Sequence, residues 1–327
     1  FFFGLSNLMG ISRLLRYLKE NNAIKVYTAT VESLIDGERN VIVVDAASWV
    51  YTVTEVACHN MDWLCGGQWH KQYTAIRMFL QSFVSAGAHL VFFFDTINPD
   101  AKRWQSHERG WTNALHTWML ASVVPEGDHI PQTRKALQSH CVKESKMPEF
   151  LLECGGAALL DLAKEFDVEV FETPAGIEAD TAIVSYCRDN KNKVAAILAE
   201  DNDFLLMPHE CTLMRMQYLN WAQVSEDEPL KCTKTINCSN VWRSLSMDDR
   251  TGLFAALVGC DYVKSFFRYA RTRDSPYRVI HDEGDPERFT LATRTLRQFS
   301  HTMQDHKVVT LLASMIIDKE DRATWQK

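Results

Sequence analysis

The clearest pattern in the sequence is a set of short, continuous apolar runs, each followed by an acidic residue. Three such runs cover 41–44, 90–94 and 194–198, and the short segment 168–171, which is interrupted by Glu169, indicates one more strand. Runs of this length, rich in β-branched and aromatic residues, are typical of strands buried on both faces, as in a parallel sheet. They therefore predict four strands.

Apolar residues between these runs repeat with helical spacing. In 11–18 they recur at i, i+3, i+4 and i+7, which predicts an amphipathic helix. Helices are also predicted over 73–86, 148–166 and 177–188. Strands that alternate with helices predict an α/β fold with a doubly wound, mostly parallel sheet flanked by helices.

Composition limits the class of protein but does not indicate a function. The chain has 327 residues and 46% hydrophobic residues, so a large buried core is expected. No apolar run reaches the roughly 18 residues of a membrane span, and no signal-peptide pattern is present, so no membrane association is predicted. The nine cysteines include no Cys-x-x-Cys pair, which is typical of reduced intracellular thiols.

Acidic residues lie at the end of the predicted strands where such a sheet binds ligands. The carboxyl ends of parallel strands line one crevice, and ligands bind there. Carboxylates directly follow three predicted strands, two more follow the fourth strand and its turn, and one follows a predicted helix. They are Asp45, Asp95, Asp201, Asp203, Glu178, Asp180 and Asp261.

Seven converging carboxylates would repel one another unless cations neutralised them. Oxygen-only ligands suit Mg²⁺ or Mn²⁺, and two such ions about 4 Å apart could clamp the oxygens of a phosphodiester. The alternative is structural: an Asp after a strand is commonly a helix N-cap, and Glu178 or Asp180 could complement a helix dipole.

A basic stretch lies between the second strand and the next helix. It runs over 102–146 and carries Trp104 and Trp111 among its cations. Such a stretch can track a phosphate backbone and stack bases. The alternative, a solvated helical surface, stays open. The formal charge of −7, from 35 Lys and Arg against 42 Asp and Glu, does not exclude a local basic groove.

Six short motifs resemble, in order, those of the flap endonuclease/XPG superfamily of PIN-like nucleases. The resemblance spans Met9 to Tyr262. The motifs are Met9-Gly10-Ile11, Val44-Asp45-Ala46, Phe94-Asp95, Glu178-Ala179-Asp180, Glu200-Asp201-Asn202-Asp203 and Gly259-Cys260-Asp261-Tyr262.

The resemblance implies a PIN-like fold of the flap endonuclease type and assigns roles to individual residues. The seven carboxylates match the family's ligands for two Mg²⁺ or Mn²⁺ ions. By their spacing after Asp95, Lys102 and Arg109 match basic catalytic residues that polarise the scissile phosphate. Tyr51 matches an aromatic residue on which a base stacks. Arg103, in the basic stretch, joins them as a predicted nucleic-acid contact.

A second, narrower resemblance points to a different role. Residues 62–69 followed by 90–95 are similar to the PIN-like N-terminal region of the constitutive coactivators of PPAR-gamma and the related asteroid proteins. This resemblance implies nuclear receptor coactivation in the nucleus, with RNA binding in some relatives. The alternative for the Gly66-Gly67-Gln68-Trp69 stretch is a loop anchored by Trp63 and Trp69.

The sequence also departs from the flap endonucleases. They follow Gly-Cys-Asp-Tyr with a glycine-containing clamp on duplex DNA, but no glycine occurs here between Gly259 and Gly284. In addition, Thr96 follows Asp95 in place of the usual glycine. A duplex clamp is therefore not expected.

The predicted organisation has three parts. Residues 1–8 are expected to be an upstream extension or an artefact, 9–262 a PIN-like region with XPG N- and I-type motifs, and 263–327 a helical extension that continues into a longer protein.

Two functions remain open from the sequence. One is a metal-dependent 5′ nuclease or endonuclease that acts on flapped or single-stranded DNA or RNA. The other is a non-catalytic scaffold that binds RNA, a nuclear receptor or other protein partners. In both cases a nuclear location is expected, with the cytoplasm as a second compartment.

Overall fold

The structure is a computed structural model. It describes residues 13–58, 69–95, 149–225, 228–238, 241, 251–258, 287–297 and 307.

The described strands form one seven-stranded sheet. Its order is β1-β7-β6-β5-β2-β3-β4, and the five strands from β6 to β4 pair in parallel, whereas β7 is antiparallel to β6. This confirms the predicted doubly wound, mostly parallel sheet. The strands are β1 (Lys25–Thr30), β2 (Val41–Asp45), β3 (His89–Phe94), β4 (Glu169–Glu172), β5 (Val194–Leu198), β6 (Thr212–Met214) and β7 (Lys231–Asn237).

The three long apolar runs form the centre of the sheet. Every residue of β2 and β5 is buried, and so are the four central residues of β3. Since successive side chains of a strand point to opposite faces, helices must cover both faces of this region. The prediction of fully buried strands from continuous apolar runs is therefore confirmed.

Eight α-helices lie in the described part of the chain. The helices predicted over 73–86, 148–166 and 177–188 are all present, with ends that differ by a few residues. The eight are α1 (Leu14–Glu20), α2 (Val31–Leu34), α3 (Ala46–Cys58), α4 (Trp69–Ser85), α5 (Glu149–Ala163), α6 (Ala179–Asp189), α7 (Thr251–Val258) and α8 (Glu287–Arg297). None of these is both long enough and apolar enough to cross a membrane.

An aromatic cluster connects the helices to the sheet. The buried Trp49 of α3 makes edge-to-face contacts with Phe79 of α4 and Phe92 of β3, at ring-centroid distances of 5.2 and 4.8 Å. Phe79 also contacts Trp221. Aromatic pairs of this geometry each add about 0.5–1.5 kcal/mol beyond the burial of their apolar area. They hold α3, and with it Asp45 at the end of β2, in a defined position.

The chain divides into two compact units. One contains 26–200 and 209–237 and carries almost the whole sheet; the other contains 6–25, 201–208 and 238–327. The domain boundary at residue 262 stays a prediction.

The second unit is built on helix packing. Its helices α1, α7 and α8 meet through the rings of Tyr17, Phe254 and Phe289, and Tyr17 stacks on both phenylalanines. The Tyr17 hydroxyl also lies 2.8 Å from the Thr293 hydroxyl, and the buried Arg288 donates to the last carbonyl of α7, that of Val258, at 2.9 Å. Among the described residues, these contacts join all three helices of this unit.

Candidate functional site

The strand order of the first unit reverses between two neighbouring strands. From β2 the chain goes to β3 and β4 on one side, and then crosses back to β5 and β6 on the other. In open α/β sheets, ligands bind at such a switch point, outside the carboxyl ends of the strands. Asp45 ends β2 at this point, and Glu200 follows β5 by two residues.

Asp45 caps the helix that follows it. It is 6% exposed, and its carboxylate accepts hydrogen bonds from the Ser48 amide at 3.3 Å and the Ser48 hydroxyl at 2.5 Å. Such a cap satisfies an amide at the start of α3 that has no partner within the helix. The helix N-cap that the sequence suggested as an alternative role for Asp45 is therefore present. Its role as a metal ligand stays a prediction.

Asp95 reaches the start of another helix. Its Oδ1 atom accepts a hydrogen bond from the backbone amide of Ala179, the first residue of α6, at 2.5 Å. The turn between β4 and α6 brings the two together: the Thr173 amide donates to the Phe94 carbonyl at 2.9 Å, and Gly176 has a φ of 83°. A positive φ of this size favours glycine, because a side chain would be strained there.

Three acidic residues consequently meet at one helix terminus. Ala179 stands between Glu178, which is buried, and Asp180, which is half-buried, whereas Asp95 is exposed. The partial positive charge of the α6 N-terminus stabilises these carboxylates, typically by about 0.3–1 kcal/mol each. The hydrogen bond between Asp95 and Ala179 shows that the turn after β4 returns the chain to the carboxyl end of β3.

The strand register places Asp45 close to this terminus. Asp45 is opposite Phe93 in the parallel β2–β3 pair, and Asp95 is two residues beyond Phe93. With strands about 4.8 Å apart and a rise of about 3.3 Å per residue, the two Asp backbones are on the order of 8 Å apart. A cation bound by both carboxylates can span this separation.

Asp201 and Asp203 belong to the second unit. The Asp203 amide donates to Asp201 Oδ1 at 2.8 Å, and Asp203 begins a short 3₁₀ helix, Asp203–Leu205. Phe204 and Leu205 are buried, which anchors this helix. Both carboxylates are half-buried, and their part in a shared metal site stays a prediction.

The predicted metal ligands fit Mg²⁺ or Mn²⁺ in donor type, since all of them are carboxylates. Among the residues that the structure describes, however, no group of three or more His, Cys, Asp or Glu side chains is arranged to hold a metal ion. The fit is thus one of chemistry, and the assembled geometry of a two-metal site stays a prediction.

Several predicted site residues lie outside the described residues. They are Lys102, Arg103, Arg109 and Asp261, together with Gly66, Gly67 and Gln68 of the second resemblance. Tyr51 is described: it lies on α3 and is half-buried. Its role in base stacking stays a prediction.

A buried ion pair at the switch point was not predicted. Glu200 and Arg215 are 6% and 3% exposed, with Arg215 Nη2 2.8 Å from Glu200 Oε2. The Gln217 amide donates to the same carboxylate at 2.9 Å. Glu200 therefore serves the structure of the first unit, although the sequence groups it with Asp201 and Asp203.

Glu55 is a second charged side chain whose surroundings the sequence reasoning did not predict. Burial, and secondly the negative charge of Glu200, raise the pKa of Glu55 to about 7 from an ordinary value of 4.5. A signal was present in the sequence, because Glu55 is the one charged residue in the 13 residues of α3. An acid alone in an otherwise uncharged helix is a candidate for a raised pKa.

Comparisons with known proteins give two kinds of similarity. No family profile matches the chain. A constitutive coactivator of peroxisome proliferator-activated receptor gamma from Bos taurus is 44% identical over 145 residues, which is 44% of this chain and 18% of the relative. The coactivator of the same name from Mus musculus is 51% identical over 41 residues, 12% of this chain and 5% of the relative. The chain thus spans less than a fifth of these relatives.

Solved structures show the fold. Human GEN1 in complex with Holliday junction DNA aligns with 96% of this chain and 66% of its own, at 15% identity and a TM-score of 0.50. The catalytic core of Rad2 in complex with a DNA substrate aligns with 94% of this chain and 86% of its own, at 13% identity and a TM-score of 0.47. The alignment with GEN1 confirms the predicted PIN-like α/β fold.

Proposed function

We propose that this chain is a nucleic-acid-binding domain of the flap endonuclease type, which cleaves phosphodiester bonds in flapped or single-stranded DNA or RNA. The observation that carries the proposal is the contact of Asp95 with the first amide of α6, between Glu178 and Asp180. It brings Asp95 to the N-terminus of the helix that begins next to Glu178 and carries Asp180, which supports a site at the carboxyl edge of the sheet, where Asp45 ends β2.

The carboxylates would hold two Mg²⁺ or Mn²⁺ ions in this proposal. Bound divalent cations would activate water and stabilise the leaving oxygen of a phosphodiester. The proposed ligands are Asp45, Asp95, Glu178, Asp180, Asp201, Asp203 and Asp261.

Other residues would position the nucleic acid. We assign phosphate contacts to Lys102, Arg103 and Arg109, and base stacking to Tyr51. Binding is then expected to weaken as salt concentration rises.

A second function is favoured by a specific observation. The 44% identity over 145 residues is to a protein named as a constitutive coactivator of peroxisome proliferator-activated receptor gamma. The alternative proposal is a non-catalytic nuclear scaffold that binds RNA or a protein such as the receptor in the relatives' name.

One experiment separates the two proposals. Purified protein is incubated with labelled flap DNA, single-stranded DNA and RNA in Mg²⁺, Mn²⁺ or EDTA, and cleavage and binding are both measured. The test variant is Asp95→Asn, because asparagine keeps an oxygen that can accept from the Ala179 amide while it removes the charge. The matched control is Asp189→Asn, at the exposed C-terminal end of the same helix.

The nuclease proposal expects metal-dependent cleavage that falls at least about a hundredfold in Asp95→Asn, with nucleic-acid affinity equal or higher. The Asp189→Asn variant should cleave like the wild type. Wild-type protein that binds nucleic acid but leaves all three substrates intact in Mn²⁺ would refute the nuclease. Binding of the purified chain to the receptor, unchanged in Asp95→Asn, would then support the scaffold.

A further inference from the structure

Lys234 of β7 is a cation that contacts an aromatic ring in place of a carboxylate. Its Nζ atom lies 4.3 Å from the centroid of the Tyr218 ring and donates to the Tyr218 hydroxyl at 3.0 Å. Tyr218 is the last residue of the short 3₁₀ helix Met216–Tyr218. Both residues are half-buried, and among the described residues no carboxylate forms an ion pair with Lys234.

This environment leaves the charge of Lys234 available to a ligand. An aromatic face attracts a cation but, unlike a carboxylate, does not neutralise it. Arg215, by comparison, forms a buried ion pair with Glu200. The Lys234 ammonium has three N–H donors, and Tyr218 accepts from one of them. The ligand that matches the remaining donors and the positive charge is an anion with oxygen acceptors, such as a phosphate.

The strand register places Lys234 level with Asp45, which follows Val44. Paired residues connect the two positions across the sheet; they are Val44 with Leu198, Leu198 with Met214, and Met214 with Thr235. Since β7 is antiparallel to β6, the residue before Thr235 is level with the residue after Met214, and the Arg215 amide accordingly donates to the Lys234 carbonyl at 3.3 Å. Lys234 therefore lies at the carboxyl edge of the parallel strands.

The distance from Asp45 to Lys234 suits a nucleic-acid strand. β2 and β7 are three strand spacings apart in the sheet, so the two backbones are about 14 Å apart. With a rise of about 3.4 Å per nucleotide, a stacked strand covers this distance in about four nucleotides. The helix that carries Tyr51, α3, also packs against Met216–Tyr218. The 3₁₀ helix that holds Lys234 therefore adjoins the helix of the proposed base-stacking residue.

We propose that Lys234, positioned by Tyr218, binds a backbone phosphate of a nucleic-acid strand that crosses the carboxyl edge of the sheet. This phosphate is about four nucleotides from the phosphate that Asp45 and the other carboxylates would act on. The inference rests on the proposed nucleic-acid binding, in either its nuclease or its RNA-binding scaffold form. It extends that function to a strand path from β2 to β7 and adds a contact that no sequence motif indicated.

The structural alternative is that the Lys234–Tyr218 pair only packs β7 against the 3₁₀ helix. A residue with a packing role alone would change the stability of the chain when it is replaced. It would not change the salt dependence of nucleic-acid binding, because that dependence reports the number of phosphates that the protein neutralises. The two roles are therefore separable by experiment.

The salt dependence of binding tests the proposal on the whole chain. Fluorescence anisotropy is measured with labelled single-stranded DNA and RNA, in EDTA and from about 50 to 200 mM salt. In Lys234→Gln the slope of log affinity against log salt should be shallower by about 0.7, the value for one phosphate contact on a single strand. Affinity should fall about three- to tenfold on DNA and RNA alike, because both carry the same phosphates.

The matched control is Lys193→Gln. It removes an exposed lysine just before β5, at the opposite, amino edge of the sheet. The net charge of the protein changes by the same amount as in Lys234→Gln. The salt slope of the control should stay that of the wild type, and an equal change in the two variants would overturn the proposal.

Two more variants separate the charge from the ring. Lys234→Arg keeps the cation and should keep the wild-type slope. Tyr218→Leu removes the ring and hydroxyl that hold Lys234, so it should weaken binding, but less than Lys234→Gln does. A larger loss in Tyr218→Leu would overturn the assignment, because the ring itself would then contact a base. Circular dichroism checks that each variant folds.

Amine acetylation of the wild-type chain needs no variant. An N-hydroxysuccinimide ester acetylates accessible lysines, and mass spectrometry of the digest gives the rate at each lysine with and without single-stranded DNA. Bound DNA should slow the acetylation of Lys234 several-fold and leave that of Lys193 unchanged. This measurement decides the matter even if Lys234→Gln fails to fold.

The results distinguish this inference from the proposed function. An unchanged slope in folded Lys234→Gln, or acetylation of Lys234 that DNA does not slow, would overturn the inference, while cleavage in Mn²⁺ would still support the nuclease. A shallower slope in a chain that cleaves no substrate would refute the nuclease and support Lys234 as a binding residue of a scaffold. A wild-type chain that binds neither DNA nor RNA would overturn both.

Discussion

Replacing Glu55 by glutamine is expected to stabilise the protein above neutral pH. Glu55 is half-buried on α3 beside Glu200, and its pKa is raised from 4.5 to about 7. Because the folded state binds this proton more tightly than the unfolded state does, stability falls as pH rises from about 4.5 to about 7. Glutamine has nearly the same shape and no charge, so the variant escapes this loss.

The size of the effect follows from the pKa difference of about 2.5, which corresponds to about 3 kcal/mol in the free energy of unfolding without solvent screening. Part of the Glu55 side chain is in contact with water, and solvent screens the neighbouring charges. We therefore expect a reduced effect of about 1–2 kcal/mol. The buried Arg215, paired with Glu200, limits the repulsion between the two carboxylates further.

Urea denaturation between pH 4.5 and pH 8 measures this. The stability advantage of Glu55→Gln over the wild type should grow by about 1–2 kcal/mol across that interval. The control is Glu153→Gln on the exposed face of α5, whose stability should stay parallel to that of the wild type. Parallel curves for Glu55→Gln, or the same growth in the control, would refute the reasoning.

Two further predictions concern helix contacts of the first unit, both measured by chemical denaturation. Gly155→Ala should lower the free energy of unfolding by about 1–3 kcal/mol, because its Cβ would lie 2.5 Å from Val50 Cγ1 and 2.8 Å from Gln72 Nε2. Gly156→Ala has its nearest neighbour 3.9 Å away and should be neutral or stabilising by up to about 1 kcal/mol. An equal loss of stability in the two variants would contradict this reasoning. Asp45→Ala should cost about 1 kcal/mol, whereas Asp45→Ser, which keeps an N-cap acceptor, should stay within a few tenths; equal stability of the two variants would show that the Ser48 contact does not act as a cap.

The central strands were predictable because burial leaves a local signal. A strand covered on both faces must be apolar at every position, and β2, β3 and β5 satisfy this over their whole length or nearly so. The strands β1, β6 and β7 were not predicted. β6 has three residues, and β7 mixes buried and exposed positions without a regular alternation, so neither produces a pattern that stands out.

The position of the carboxylates was also predictable in part. Asp45 and Asp95 follow strands, and parallel strands end at one edge, so the sequence alone indicated a common edge. It did not indicate what each carboxylate touches. Ser48 is three residues from Asp45, and a cap of this kind is local enough to be anticipated as an alternative.

Contacts between distant residues were decided by the tertiary structure alone. The amide that Asp95 holds belongs to Ala179, 84 residues later, and the Glu200 carboxylate pairs with Arg215 across the end of β6. The periodicity of one segment indicates which of its side chains are buried. The ion-pair and hydrogen-bond partners of a buried group come from distant segments, and strand order decides which of these become neighbours.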